Sequence, residues 1–262
     1  MRAAAVQFAP AFGEVRPNLD GMLAMAAHVE ADLLVFPELA LSGYVFATPS
    51  EVLELSQAAD ARELDEIAEA AAARRATFVV GFAERAGRAV FNSALLAGPD
   101  GTRAIYRKIH LFDREKALFA PGDRPPEVVE VAGVRYGLMV CFDWIFPETA
   151  RTLALLGADV LCHPANLVLP FCQDAMITRC IENRVFSVTA NRIGTEARAG
   201  TALTFTGMSE IVSPRGAVLA RGSVDRAEIV TADVDPAAAR DKMITASNHV
   251  LDDRRTDLYR LR

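Results

Sequence analysis

The chain has little of what would staple it or bind metal. Its 262 residues include four cysteines, Cys141, Cys162, Cys172 and Cys180, too few for a disulfide framework at this length. None forms a Cys-x-x-Cys pair, so a structural zinc site has little support, and the expected location is the cytoplasm. Positive charge is also scarce: 28 Lys and Arg against 34 Asp and Glu leave a formal net charge of -6. That balance argues against a nucleic-acid partner, whose binders usually carry a basic surface. No apolar run approaches the ~20 residues that cross a bilayer, so no membrane partner is expected. The opening residues, Met1 to Phe8, read as a first strand and not as a signal peptide. No linker, repeat or low-complexity segment divides the chain, and residues 1–262 read as one domain. Apolar side chains are abundant, at 52%, ample for a buried core.

The order of elements follows from periodicity and turn chemistry. Ala3 to Phe8 predicts a strand. Asn18 is placed to cap a helix running to about Glu30, with Leu19, Met22, Leu23 and Ala26 on one face. Leu33 to Phe36 is a continuous apolar run stopped by Pro37, which suits a strand buried on both faces. Glu51 to Arg75 predicts one or two amphipathic helices, and Thr77 to Phe82 a strand. Gly98-Pro-Asp-Gly101 is a turn between Phe91–Leu96 and Ala104–Tyr106, and Pro214-Arg-Gly216 a turn between Met208–Ser213 and Ala217–Ala220; both pairs are predicted hairpins. Strands are predicted at Val134–Val140, Asp159–His163, Val185–Ala190 and Glu228–Val234. Helices are predicted at Pro147–Leu156 and around Ala175–Asn183, with a short one led by Pro236. Helices alternate with strands, yet the hairpins interrupt the alternation, so the fold class is α/β with mixed sheets.

Three segments carry the candidate chemistry. In the first, a buried strand ends at Cys141 and a helix signalled by Pro147 follows shortly. A nucleophile on such a turn is pushed clear of the sheet, backbone N–H groups beyond it face a developing oxyanion, and nearby positive charge would favour the reactive thiolate. A cysteine packed as a small hydrophobe has the same appearance in sequence, and Cys162, Cys172 and Cys180 read that way. In the second, Val35-Phe-Pro-Glu38 sets a carboxylate just past a buried strand, where desolvation raises its pKa toward a useful value. In the third, Tyr106-Arg-Lys108 sets a lysine just after a hairpin strand. Each charge alone is compatible with a plain surface role. The histidines offer another base: His110 and His163 lie near strand ends, so a cysteine–histidine hydrolase stays open, as does a metal set of Cys162, His163 and Cys172 with no recognised ligand spacing.

Taken together, Phe-Pro-Glu38, Tyr-Arg-Lys108 and Val-Cys141-Phe-Asp-Trp-Ile-Phe-Pro-Glu148 resemble the nitrilase superfamily, the carbon–nitrogen hydrolases. The likeness extends to Ala-Val-Gln-Phe8, Phe91-Asn-Ser, Glu115-Lys-Ala-Leu-Phe-Ala-Pro-Gly-Asp123, His163-Pro-Ala-Asn166 and Arg179-Cys-Ile-Glu-Asn-Arg184, nearly the whole chain. It implies a four-layer αββα sandwich and a triad of Glu38 as base, Lys108 as charge stabiliser and Cys141 as nucleophile. It implies Glu115 as a second glutamate fixing the lysine, a homodimer or larger even assembly, and no metal or organic cofactor. Substrate is expected near Phe142, Trp144 and Asn166, with Leu167 and Leu169 nearby. Carbamoyl-amino-acid hydrolases of the family hold a carboxylate with arginines just beyond the cysteine; here Trp144 and Ile145 stand at those positions. The true-nitrilase branch has Trp-Glu after the cysteine where this chain has Phe142-Asp143. The expected substrate is therefore a small amide, hydrolysed through a thioester to ammonia and an acid; a small aliphatic nitrile or a carbamoyl amide is the alternative. A silent binding member of the fold is disfavoured, since all three triad positions are filled.

Overall fold

Side chains alternate across each strand, and here both sides of the alternation are apolar. That pattern needs a layer packed on each face of the sheet. The computed structural model describes residues 1–259. Its first strands are β1 (Arg2–Gln7), β2 (Leu33–Val35), β3 (Gln57–Ala58), β4 (Thr77–Ala86), β5 (Ala89–Ala97) and β6 (Arg103–Arg107). Then come β7 (Val128–Val131), β8 (Val134–Leu138), β9 (Val160–Ala165) and β10 (Phe186–Asn191). A hairpin of β11 (Thr195–Arg198) and β12 (Thr201–Thr204) precedes β13 (Glu210–Val212), β14 (Val218–Arg221) and β15 (Glu228–Asp233). The helices are α1 (Val15–Ala27), α2 (Pro49–Glu54), α3 (Arg62–Arg74), α4 (Glu115–Leu118), α5 (Pro147–Leu155) and α6 (Cys172–Asn183).

Two mixed sheets result, ordered β15-β1-β2-β4-β5-β6, with β3 beside β4, and β14-β13-β10-β9-β8-β7. Ala3, Ala5, Leu33, Val35, Val79, Ala94 and Leu96 turn inward and meet Tyr136, Leu138, Val160 and Val188 of the second sheet in one core. The intervening residues Ala4, Val6, Leu34, Phe78 and Val80 turn outward, onto Leu19 and Met22 of α1 and Leu64 and Ile67 of α3. Leu153 and Ala154 of α5 and Met176 of α6 cover the second sheet. The layers are αββα, as the resemblance implied.

Both predicted hairpins form, β5–β6 and β13–β14. Asn18 is a correction: α1 starts at Val15, and Asn18 lies inside it. Its side chain accepts from the Ala11 N–H and donates to the Ala11 and Leu41 carbonyls. A tertiary anchor has taken the residue that local propensity assigned to a cap.

Glycine is required at one place that bears on the site. A Cβ built on Gly81 would lie 2.5 Å from Glu38 Cα and 2.6 Å from the Pro37 carbonyl. Gly81→Ala is therefore expected to push the Pro37–Leu39 segment off β4 and to cost about 1–3 kcal/mol, as overpacking does. Thermal unfolding should show Tm lower by several degrees; an unchanged Tm would mean that the segment yields freely.

Candidate active site

Strand direction brings the singled-out residues to one end of the sandwich. β2 and β4 run parallel, and the chain reverses at β5 and again at β6, so β6 points the same way as β2. Glu38 and Lys108 follow β2 and β6 and thus leave the same edge of the first sheet. β8 and β9 are also parallel, which puts Cys141 and Asn166 at a common edge of the second. Asn166 Nδ2 donates to the Glu38 carbonyl at 2.8 Å, a direct tie between the two sheets.

Lys108 is fully buried between two carboxylates. Its Nζ lies 2.7 Å from Glu38 Oε1 and 2.8 Å from Glu115. Glu38 Oε1 also accepts from Asn92 Nδ2 at 2.7 Å, whereas Glu38 Oε2 has no partner among the described residues. Glu115 is buried as well. It accepts from the Tyr44 hydroxyl at 2.7 Å and from the Phe112 N–H at 3.1 Å. Burial works against the charge on Lys108, but Glu115 and Glu38 outweigh it and hold the pKa above the usual lysine value. Burial raises the pKa of Glu38 above the ordinary carboxylate value, against the pull of Lys108. A buried cation with carboxylates on both sides is held by mutual need: removing one member strands a charge without solvent.

Cys141 opens a 3-10 turn, Cys141–Ile145, with φ of 42°, a conformation that costs a non-glycine residue energy and recurs at functional turns. Two side chains hold the turn. Asp143, fully buried, accepts from the Val140 N–H at 2.9 Å and the Tyr106 hydroxyl at 2.8 Å, and meets His110 Nδ1 at 2.8 Å. His163 Nε2 lies 2.9 Å from the Cys141 carbonyl and its Nδ1 3.1 Å from Thr189 Oγ1. A carbonyl only accepts, so Nε2 carries the hydrogen and Nδ1 accepts from the threonine hydroxyl.

This geometry corrects two expectations. His163 has no lone pair turned to the thiol, and burial pushes its pKa down to about 4; it is a neutral prop for the turn. His110 stacks on Phe146, with centroids 3.7 Å apart, and is engaged by Asp143. The cysteine–histidine pairing therefore has no geometric support. Nor is the thiolate favoured at rest: burial and the charge of Glu38 push the Cys141 thiol well above its usual range, and Lys108 opposes without prevailing. The other three cysteines are fully buried, with thiols raised by burial alone or chiefly. No group of three His, Cys, Asp or Glu among the described residues could hold a metal ion.

Above Cys141 lies a cleft of about 240 Å³ lined by Phe112, Phe142, Trp144, Asn166, Leu167 and Leu169. The expected neighbours Phe142, Trp144 and Asn166 are thus all at the cysteine. Ile145 instead turns to solvent, 40% exposed. Asp143, Tyr44 and Asn92 carry no assigned role in the sequence, although Asp143 lies inside the cysteine motif and Asn92 inside Phe91-Asn-Ser; His163 reads there only as an alternative base or metal ligand.

A cysteine on a strained turn beside a buried carboxylate–ammonium cluster, at paired strand ends of an αββα sandwich, is the arrangement of a thiol-dependent hydrolase. The carbon-nitrogen hydrolase family model matches residues 2–242. A nitrilase of Pyrococcus abyssi is 41% identical over 99% of both chains. An (R)-stereoselective amidase of a Pseudomonas species is 36% identical over 92% of this chain and 89% of its own. Among solved structures, a mutant amidase of a Nesterenkonia species, with the acetamide moiety of fluoroacetamide added covalently at its active-site cysteine, superposes with a TM-score of 0.80. It is 28% identical, over 98% of this chain and 95% of that one. The chain belongs to the carbon-nitrogen hydrolase family.

The neutral His163 has a thermodynamic signature. Its pKa is about 4 in the fold against 6.5 ordinarily, so the unfolded chain takes up a proton that the folded chain refuses. This part of the stability is whole above pH 6.5 and is lost as pH falls toward 4. His163→Gln, which keeps a donor for the Cys141 carbonyl, should remove up to about 1.4 kcal/mol per pH unit from the slope in that window. Denaturant unfolding at several pH values measures it, and identical slopes for both proteins would show that the folded imidazole does protonate.

Proposed function

We propose that this enzyme hydrolyses small neutral amides, with Cys141 as nucleophile, Glu38 as base and Lys108 as stabiliser of the tetrahedral intermediate. The observation that carries the reading is the division of labour on Glu38. One oxygen is taken by Lys108 and Asn92, while the other, buried and unpartnered, is available for a proton. Because the thiol is neutral at rest, Glu38 Oε2 accepts its proton as the sulfur attacks the carbonyl carbon. The oxyanion then meets a third Lys108 N–H, since an ammonium has three donors and the two glutamates engage the others. The Phe142 N–H, in the first turn of the 3-10 helix, adds another donor of the kind helix starts leave unpaired. Glu38 returns the proton to the departing nitrogen as the C–N bond breaks, leaving ammonia and a thioester on Cys141. Water then gives a proton to Glu38 and attacks the thioester; the C–S bond breaks, and the thiolate regains its proton from Glu38. Glu115, gripped by Tyr44 and the Phe112 N–H, keeps Lys108 charged and in place.

Substrate class follows from the cleft. Phe112, Phe142, Trp144, Leu167 and Leu169 line it, and no arginine among the described residues lines it to hold a carboxylate, which disfavours carbamoyl amino acids. A nitrile is the second reading, supported by the similarity to a protein named nitrilase; it passes through a thioimidate that needs one more proton and one more water. The chain is proposed to act as one domain over residues 1–262, of which 260–262 lie outside the described residues. A homodimer or larger even assembly in the cytoplasm completes the proposal. Leu155 at the end of α5, Leu156 beyond it and Ile181 of α6 are about half exposed and give helix faces for pairing. No helix of the described residues is long and apolar enough to cross a membrane.

Cys141→Ala should abolish turnover while leaving unfolding cooperative, and iodoacetamide should label Cys141 first, followed by peptide mapping. Glu38→Gln should lose at least ~10²-fold in rate, and Lys108→Ala ~10²-fold or more; near-wild-type rates in either would remove that residue from the mechanism. A matched amide and nitrile of one acyl group test the bond cleaved: a nitrile kcat/KM more than ~10-fold above the amide, about 1.4 kcal/mol, would overturn the amide reading.

A further inference from the structure

Beside the cysteine cleft lies a second, partly open cavity, lined mainly by Tyr44, Phe46, Leu118, Phe119 and Leu203, with the exposed Asp113 and Arg114 at its rim. The two share one residue, Phe112. Its ring packs on Phe142 at 5.0 Å and belongs to none of the three apolar cores. Half-buried and outside the cores, it forms a wall between the nucleophile and that largely apolar space. Its backbone is pinned beside the reaction, since the Phe112 N–H donates to Glu115 at 3.1 Å and the next residue, Asp113, sits at φ of 44°.

We propose that Phe112 sets the upper size limit of the acyl group, and that the partly open cavity behind it is an extension of the acyl site suited to long alkyl or aryl chains. This deepens the proposed hydrolytic reading and rests on it for the substrate. The cleft over Cys141 is narrow, walled by Phe112, Phe142, Trp144, Leu167 and Leu169, and suits an acyl group of a few carbons. Removing the ring joins it to a space whose walls are apolar, where each added methylene gains by leaving water. From Cys141 the second cavity lies behind the Phe112 ring, so the wall, and not the chemistry, separates short substrates from long ones.

Phe112→Ala tests this directly. Relative to butyramide, kcat/KM for 4-phenylbutyramide should rise at least ~10-fold over the wild-type ratio, about 1.4 kcal/mol, mostly through KM. Adding Leu203→Trp, which fills the far cavity from a half-buried hairpin position, should abolish that gain. The same preference is read without turnover from the rates at which iodoacetamide and 2-iodohexanamide alkylate the thiol. A wild-type chain that hydrolyses neither amide would thus count against the hydrolytic reading and leave the size test intact. If the alanine variant unfolds, Phe112→Leu should give the same shift at least ~3-fold. A size ratio unchanged in the folded variant, or a gain that survives Leu203→Trp, overturns the proposal.

Discussion

An ammonium sealed from water between two carboxylates is the constraint around which this end of the molecule is organised. Lys108, Glu38 and Glu115 are each nearly or wholly inaccessible, and none could keep its charge there alone. Together they carry a net negative charge, which the Asn92 amide, the Tyr44 hydroxyl and the Phe112 N–H share. Tyr44 is held in its turn: Glu196, paired with the buried Arg192, accepts from the Tyr44 and Val45 N–H groups. The cluster therefore reaches from β5 and β6 through the loop after β2 to β11, and its rigidity comes from this linked set of hydrogen bonds and ion pairs.

The same constraint explains the state of the sulfur. Positive charge near a cysteine ordinarily points to a thiolate, and Lys108 invites that expectation. Here burial sets the largest penalty on the thiolate, and the lysine is already spent on two anions whose own charges oppose it. The proposed mechanism accordingly replaces lone thiolate formation by a transfer in which the proton has a defined destination.

Much of this was legible before any coordinates. Pro37, the Gly98–Gly101 turn and Pro147 mark chain reversals by local chemistry, so the strand ends carrying Glu38, Lys108 and Cys141 were found to within a few residues. The αββα layering and the joint role of the three segments came from family resemblance rather than from periodicity. What stayed hidden depends on distant pairing. Asn18 has a cap's side chain but is bonded to Leu41. His163 looked like a base because its partner, the Cys141 carbonyl, is 22 residues away. β7 and the β11–β12 hairpin have weak patterns of their own and form against neighbours already in place. Gly81 carries no chemistry, and its meaning appears only where another segment crosses it.

Glu38 and Cys141 hang from different sheets, joined by the Asn166 amide on the Glu38 carbonyl. Neither half of the sandwich alone contains both the sulfur and the carboxylate that would take its proton. During synthesis the strand bearing Glu38 emerges before the one bearing Cys141, and the two groups meet only when the second sheet docks on the first. On the proposed mechanism, hydrolysis is thus a property of the docked molecule, since a half-folded chain has the thiol but no placed acceptor for its proton.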